Sequence, residues 1–262
     1  MKKRILKFLS LCLALVLIAG VLFSAVALLG NPISMILAYK TAKAHLESNY
    51  AAADYEIEKI IYDAKFSGDY YVYASSPSSI DGDFTIVIDS FGKLKKDDYL
   101  SNVEKHINVA RRLTDEYSER VMVVTGSSLF PYTVADSFGS LNFFDRTFDA
   151  PGKISTAELV NDKIYDVGEL GKTNGTLLLY IDSNEVTYEM AAEILLKTKE
   201  LMEEAGISFY SVDLVLCHPP YDSEKSPDRP AGEIRLYGFL CADIYEDGIV
   251  KRIEEHDKKD EF

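Results

Sequence analysis

The stretch TLLLYID at residues 176–182 is a short apolar run that predicts a β-strand. Thr187 follows it as a helix cap, and apolar residues then recur at helical spacing until Gly206, which ends the helix. A second apolar run covers residues 209–217. A strand, a helix and a strand within about 40 residues predict a right-handed crossover between two parallel strands.

The residues after this crossover complete a small distal domain. Residues 219–232 contain four prolines and predict a loop. Residues 233–244 predict a third strand, and residues 248–258 predict a terminal helix. We therefore expect a second small βαββα domain over residues 154–255, followed by a charged tail at residues 256–262.

The first half of the chain predicts an α+β domain over residues 31–121. Asn31 and Pro32 are suited to cap and begin a helix. Three strand-like runs follow, separated by turn residues, at residues 55–65, 70–74 and 83–89. Apolar spacing then predicts a long amphipathic helix over residues 100–121. A helix, a three-stranded meander and a helix pack most simply as a sheet with helices on one face, followed by an irregular connection at residues 122–153.

Residues 8–29 form an uncharged run that predicts a single N-terminal transmembrane helix, with ends at Phe8 and Leu29. As a helix the run would span roughly 33 Å, enough for a bilayer core of about 30 Å. Basic residues before such a segment stay in the cytoplasm, and here they are Lys2, Lys3, Arg4 and Lys7. We therefore expect a cytoplasmic flank at residues 1–7, a span at 8–30, and residues 31–262 outside the cell membrane.

A cleaved signal peptide is the alternative for this segment. Ala25-Val26-Ala27 is a small-x-small sequence of the kind that signal peptidase accepts. The uncharged run, however, is longer than the roughly 7–15 apolar residues of such peptides, and it continues past Ala27. We favour the retained helix, with the lipid bilayer as the partner of residues 8–29.

The composition excludes several classes of function. The 262 residues include 28 basic and 42 acidic side chains, and the net charge is −14. Because phosphate binding needs a basic face, nucleic acid is not expected as a partner. Three cysteines do not make a disulfide-dense scaffold. The acidity is concentrated in residues 121–262, which carry 13 basic and 27 acidic residues.

Candidate catalytic and metal motifs fail on spacing and geometry. Cys217 and His218 are adjacent on a predicted strand, so their side chains point to opposite faces. A simple hairpin across residues 219–232 would pair Cys217 with about residue 234 and Cys241 with about residue 210. The two cysteines are then roughly 24 Å apart, which predicts two buried thiols rather than a disulfide. Asp81-Gly82-Asp83 lacks the spacing of a calcium loop. We expect no catalytic residues, no cofactor and no metal.

Tyrosine is unusually abundant, with 17 residues, and three of them lie on one short predicted strand: Tyr70, Tyr71 and Tyr73. A tyrosine-bearing sheet face is suited to binding a peptide or a glycan, because the ring is apolar and its tip is polar. Ordinary sheet composition explains the same residues, since tyrosine favours strands. Both interpretations stay open at this point.

Several stretches resemble an uncharacterised family, the YfjL-like membrane-anchored proteins of Gram-positive bacteria. They are Asn31-Pro32-Ile33-Ser34, the segment 70–79 that ends in Ser75-Ser76-Pro77-Ser78-Ser79, the strand at 84–89, and the helix containing Arg111-Arg112-Leu113. Residues 155–255 are similar to that family's C-terminal domain. The resemblance implies one N-terminal membrane helix and an extracytoplasmic α+β region, and it implies no known activity. The plan of a helix followed by a meander is also similar to PepSY-like and cystatin-like domains.

These observations predict a single-pass membrane-anchored protein with a non-enzymatic binding, scaffold or regulatory ectodomain. The expected partner, besides the bilayer, is a protein or peptide at the cell surface. One alternative is a PepSY-like modulator of a secreted peptidase. The other is a cell-envelope hydrolase that uses carboxylates from distant segments.

Overall fold

The protein is described by a computed structural model that covers residues 13–18, 20, 24, 30–143, 151–219 and 232–260. The chain divides into two units, one ending at Asn108 and the other beginning at Val109. Each unit has its own apolar core and one four-stranded sheet. The α+β class is therefore confirmed.

The predicted transmembrane helix needs correction. Among the described residues, none of the helices is both long enough and apolar enough to cross a bilayer. The prediction of a single-pass span over residues 8–30 is therefore wrong for the described chain. The prediction rested on the hydropathy of residues 8–29, and most of that run lies outside the described residues. The predicted ends and the basic flank lie outside the described residues: Phe8, Leu29, Lys2, Lys3, Arg4 and Lys7.

The first unit packs one helix on an antiparallel sheet. Helix α1 (Pro32–Asn49) begins as predicted, with the Asn31 side chain accepting a hydrogen bond from the backbone of Ile33 at 2.9 Å. Its buried residues are Ser34, Ala38, Ala42 and Leu46, and three of these are small, so the helix can lie close to the strands. The sheet order is β1 (Glu56–Tyr62), β2 (Tyr70–Ser75), β3 (Phe84–Ile88) and β4 (Leu94–Asp97).

The prediction of a three-stranded meander is wrong because β4 was missed. Leu-Lys-Lys-Asp at residues 94–97 pairs antiparallel with β3 and forms an edge of the sheet. Edge strands often carry lysine, which discourages pairing with other chains and removes the apolar alternation that identifies a strand. The helix predicted over residues 100–121 is also divided. A π-helical turn covers Leu100–Glu104, and helix α2 (Ile107–Thr125) packs its buried residues from Val109 onward into the second core.

The second unit places helices against one face of a mixed sheet. Its strands lie in the order β5 (Thr133–Leu141), β6 (Gly175–Asp182), β7 (Ser211–Cys217) and β8 (Glu233–Leu240). β6 and β7 are parallel, and the other two pairs are antiparallel. The remaining helices are α3 (Val167–Asn174), α4 (Tyr188–Glu204) and α5 (Ile249–Asp260).

The predicted strand–helix–strand crossover is confirmed by the parallel pairing of β6 with β7 across α4. The hairpin register is confirmed too, because Cys217 pairs with Glu233, and the backbone amide of Cys241 donates to the carbonyl of Tyr210 at 2.9 Å. Both cysteines are thiols, and they are half-buried rather than buried. The βαββα prediction is wrong in leaving out β5 and α3. β5 lies in the segment predicted as an irregular connection, since its sequence TVADSFGSL contains few residues that favour strands.

Tyr117 of α2 holds the second unit together. Its ring is fully buried, and its hydroxyl group donates to the backbone carbonyl of Ser208 at 2.8 Å. Three glycines surround it. A Cβ atom at Gly139 would lie 2.6 Å from the ring, at Gly175 2.7 Å from the hydroxyl oxygen, and at Gly171 3.0 Å from the ring. No side chain fits at these distances, so the close approach of α2, α3 and the sheet requires glycine.

Gly139→Ala is expected to destabilise the second unit by about 1–3 kcal/mol, because the added methyl group overlaps the Tyr117 ring. The measurement is the free energy of unfolding from urea titration, with hydrogen exchange resolving the two units. Gly206→Ala is the matched control, since a Cβ there meets open space and only the positive φ of 69° opposes it. An equal or larger loss for Gly206→Ala would contradict the packing explanation.

Candidate functional site

The three tyrosines singled out in the sequence do not share one face of the first sheet. Tyr70 is buried in the core, and its hydroxyl group bonds the backbone of Asn31. Tyr71 and Tyr73 point to the opposite face and are half-buried. The ammonium group of Lys59 lies 4.5 Å from the centre of the Tyr73 ring. A binding role for these tyrosines stays a prediction, and Tyr70 belongs to the core.

A histidine, an aspartate and a tyrosine meet at the edge of the first sheet. The Oδ2 atom of Asp97, the last residue of β4, lies 2.6 Å from Nε2 of His45 and 3.1 Å from the hydroxyl group of Tyr50, which donates to it. The amide nitrogen of Asn49 lies 3.0 Å from Nδ1 of His45 and also donates to the His45 carbonyl at 2.9 Å. In the tautomer whose Nδ1 accepts from the Asn49 amide, Nε2 carries a proton and donates it to Asp97.

An aromatic cluster surrounds this carboxylate. Tyr50 lies with its ring 4.3 Å from that of Tyr99 and 5.2 Å from that of Phe84, between ring centres. Burial, and then the Asp97 carboxylate, raise the pKa of Tyr50 well above its usual value. Burial and the neighbouring Tyr99 raise the pKa of Tyr55 to about 12. The phenol groups of Tyr50 and Tyr55 therefore stay neutral at physiological pH.

The bonding pattern of His45 indicates a structural role. A catalytic histidine needs one ring nitrogen for a nucleophile or a substrate. Here the two nitrogens face the carboxylate of Asp97 and the amide of Asn49. Because His45 and Asn49 belong to α1 and Asp97 belongs to β4, these bonds join the end of the helix to the edge strand.

Acidic side chains also come together near the start of β3. Asp81 is buried, Asp83 precedes the strand, and Glu58 lies on β1. Partial loss of hydration, and then the charges of Glu58 and Asp81, raise the pKa of Asp83. The side-chain amide of Asn108 donates to the backbone oxygens of Asp81 at 2.9 Å and Asp83 at 2.6 Å. Within the described ranges, no group of three or more potential ligands is arranged to hold a metal ion.

The second sheet has one face that its helices leave open. Alternate strand residues, such as Leu177, Leu179 and Leu214, pack into the core with the helices. Their neighbours in sequence point the other way and form what we call the open face. Its residues are Asp136, Phe138, Ser140, Thr176, Leu178, Tyr180, Asp182, Ser211, Asp213, Val215, Cys217, Glu233, Arg235 and Tyr237.

The strand register arranges these side chains in rows. One row contains Asp136, Tyr180, Val215 and Arg235, from β5 to β8. Phe138, Leu178 and Asp213 form the adjacent row. The open face therefore carries Phe138 and Tyr180 on the neighbouring strands β5 and β6, with carboxylates in the same rows, whereas Val215 and Ser211 on the central strand β7 are buried. Phe138 is 40% exposed and Tyr180 is 37% exposed, which is high for aromatic residues on a sheet.

Hydrogen bonds and an ion pair hold several polar residues of the open face. The Asp213 carboxylate accepts a hydrogen bond from the backbone of Gly238 at 2.6 Å, across a register shift in β8. The Cys217 thiol donates to the Asp182 carboxylate at 3.5 Å. Arg235 and Glu233 form an ion pair at 2.7 Å. Asp182, Asp213 and Glu233 thus each have a hydrogen-bond or ion-pair partner within the unit.

Two family models match the chain. The model of the YfjL-like N-terminal domain matches residues 5–98, and that of the YfjL-like C-terminal domain matches residues 127–254. The chain belongs to the YfjL-like family. The resemblance to the YfjL-like family noted in the sequence is thereby confirmed. The family matches do not extend to the membrane anchoring or to the Gram-positive source that the resemblance implied. No curated protein matches the chain, and no solved structure matches it.

Sequence reasoning missed the open face of this YfjL-like chain. The sequence contains part of the pattern that indicates an exposed face. In the run at 176–182, Tyr180 and Asp182 alternate with Leu179 and Ile181. As a short apolar run, this stretch predicts a strand without indicating which of its residues are exposed. The sequence did not predict β5, which supplies Phe138 and Asp136. It therefore gave no indication that Phe138 and Tyr180 lie on the same face of one sheet.

Asp97→Asn is expected to destabilise the first unit by about 1–3 kcal/mol, because an amide accepts weaker hydrogen bonds from His45 and Tyr50 than a carboxylate does. Hydrogen exchange of first-unit amides in urea measures the loss. Glu47→Gln, at an exposed position of α1, is the control and should change stability by no more than about 0.5 kcal/mol. Equal effects of the two variants would contradict the role of Asp97.

Alkaline pH is expected to destabilise the first unit through Tyr50. Its raised pKa means that the unfolded chain ionises first, so its contribution to stability is complete below about pH 10 and declines above it. The free energy of unfolding of wild type and Tyr50→Phe, measured between about pH 8 and 11.5, tests this. The phenylalanine variant should decline less steeply, and two parallel curves would show that Tyr50 is not responsible.

Proposed function

We propose that this YfjL-like protein is a non-enzymatic binding module, and that the open face of the second sheet docks a basic segment of another protein. The observation that carries the proposal is the pairing of exposed aromatic rings with carboxylates on one rigid surface. Phe138 and Tyr180 lie on neighbouring strands, and Asp136 and Asp213 lie beside them in the same rows.

The aromatic residues supply the anchoring contacts. Binding hot spots are rich in aromatic side chains that fill a partner's pockets, with polar groups around them. Phe138 and Tyr180 are about two-fifths exposed, at 40% and 37%, so each ring still has surface to bury. Tyr237 on β8 adds a third exposed ring at 48%. Since water contact with apolar rings is unfavourable, a partner that covers them gains free energy.

The charges of the open face favour a positively charged partner. The residues that define the open face include four acidic side chains and one basic side chain. The acidic ones are Asp136, Asp182, Asp213 and Glu233, and the basic one is Arg235, which is paired with Glu233. Complementary charge steers a partner to a surface and suppresses partners of the same sign. A segment carrying lysine or arginine beside apolar residues fits this face, and an acidic segment is repelled.

Such a module acts by holding or restraining its partner rather than by chemistry. The predicted scaffold or regulatory role and the rival prediction of a peptidase modulator both use a docking surface, so both are compatible with this proposal. The hydrolase prediction requires a different site, built from carboxylates such as Asp83 and Glu58.

The test measures binding of a synthetic amphipathic peptide of leucine and lysine to the 262-residue protein by fluorescence anisotropy. Phe138→Ser and Asp136→Lys are each expected to weaken binding at least about fivefold, because they remove an anchor or reverse a charge. Added salt should weaken wild-type binding, and a leucine–glutamate peptide should not bind.

Phe91→Ser and Glu189→Lys are the matched controls, since both residues are exposed and neither is a residue of the open face. They should leave the affinity within about twofold of wild type. If the control variants lose as much affinity as the open-face variants, the peptide binds by net charge alone and the proposed surface is wrong.

A further inference from the structure

Two hairpin loops of the first unit present exposed phenylalanines. Phe66 lies in the loop between β1 and β2, and Phe91 lies in the loop between β3 and β4. Their side chains are 83% and 89% exposed, the highest values among the large apolar side chains that the structure describes. Leaving two phenyl rings in water is unfavourable, so a partner that covers the loop tips would gain free energy.

The two loops lie side by side at one end of the sheet. Tyr62, Tyr70 and Ile88 form the last row of paired residues before the loops. The hydroxyl group of Ser90 donates to the backbone carbonyl of Gly68 at 2.7 Å, which joins one loop to the other. Phe66 and Phe91 are therefore held on one surface.

An aspartate organises the backbone of each loop. The Asp63 carboxylate accepts hydrogen bonds from the backbone amides of Lys65 at 3.2 Å, Phe66 at 3.1 Å and Ser67 at 3.0 Å. The Asp89 carboxylate accepts from Phe91 and Lys93, both at 2.9 Å. Both loops keep their shape without a ligand.

The backbone amides at the tips of both loops are hydrogen-bonded within the loops. The amides of Gly68 and Gly92 donate to the carbonyls of Asp63 and Asp89, at 2.9 and 3.0 Å. Since the amides of Phe66 and Phe91 donate to the two carboxylates, the amides of both phenylalanines and both glycines are hydrogen-bonded within the loops. A satisfied backbone can enter an apolar phase without the large cost of an unbonded amide.

The surroundings of the loops match an interface between water and an apolar phase. The ammonium group of Lys65 lies 5.0 Å from the centre of the Phe66 ring, and Lys93 follows Phe91 closely. Lysine can keep its charge in water while its stem lies in the apolar layer. At the start of α1, Ile33 and Ile36 are exposed, and Leu37 contacts Gly92, so apolar surface continues beside the second loop.

We infer that Phe66 and Phe91 insert together into the interfacial layer of a lipid bilayer, as a peripheral contact made by the two hairpin loops. A protein partner is less suited to this feature. Specific protein interfaces bury roughly 800 Å² on each side, over a broad and complementary surface. Two single rings on projecting loops offer little area, and they fit a deformable layer that closes around each ring.

Tryptophan fluorescence tests the inference, because the protein contains no tryptophan. Phe66→Trp and Phe91→Trp are made separately in the 262-residue protein and mixed with vesicles of phosphatidylcholine and phosphatidylglycerol. Emission from both should shift to shorter wavelength, and lipids brominated near the headgroup should quench it severalfold. Phe138→Trp, an exposed ring of the second unit, is the control and should show neither change.

A readout at the loop itself separates this contact from any other attachment of the chain to vesicles. Unshifted, unquenched emission from Phe66→Trp and Phe91→Trp would overturn the inference. A blue shift that appears without vesicles and grows with protein concentration would also overturn it, since it shows contact with a second copy. Ser90→Ala should lower the quenching of both probes by loosening the bond between the loops, while far-UV circular dichroism stays unchanged.

Discussion

The packing of Tyr117 against three glycines is the constraint on which the second unit depends. The ring lies against Gly139 of β5, the hydroxyl group reaches Gly175 at the start of β6, and Ser208 accepts its hydrogen bond just before β7. One side chain of α2 thus contacts the beginnings of two central strands and the edge strand beside them. Because a packed interior resists changes of volume, this contact determines how close helix and sheet lie, and so how the strands of the open face are aligned.

The first unit joins its helix to its sheet in a different way. Small residues of α1 face the strands, and the Asp97 carboxylate ties His45 and Tyr50 to the edge strand. Both units therefore have rigid supports under their surface features. A surface that is already ordered loses little conformational entropy on binding, which suits the open face of the second sheet and the two phenylalanine loops of the first unit.

Errors of prediction fall where local sequence and tertiary position disagree. β4 is charged because it is an edge strand, so its sequence carries no apolar alternation. β5 contains Gly139, which weakens a strand locally but is required by Tyr117. The helix after residue 100 was expected in the first domain, yet its apolar face packs into the second core. In each case the deciding contact is made by residues distant in the chain, which a local pattern cannot contain.

The sequence by itself determined the α+β class, the strands at Tyr70–Ser75 and Phe84–Ile88, the parallel pairing across α4, and the register of β7 with β8. These depend on side-chain alternation and loop length, which are properties of neighbours in the chain. Only the tertiary structure decided that His45 meets Asp97, 52 positions away, and that Phe138 shares a face with Tyr180. Alternation determines which residues of one strand share a face, whereas strand order and register, decided by packing of the whole unit, determine which strands lie side by side.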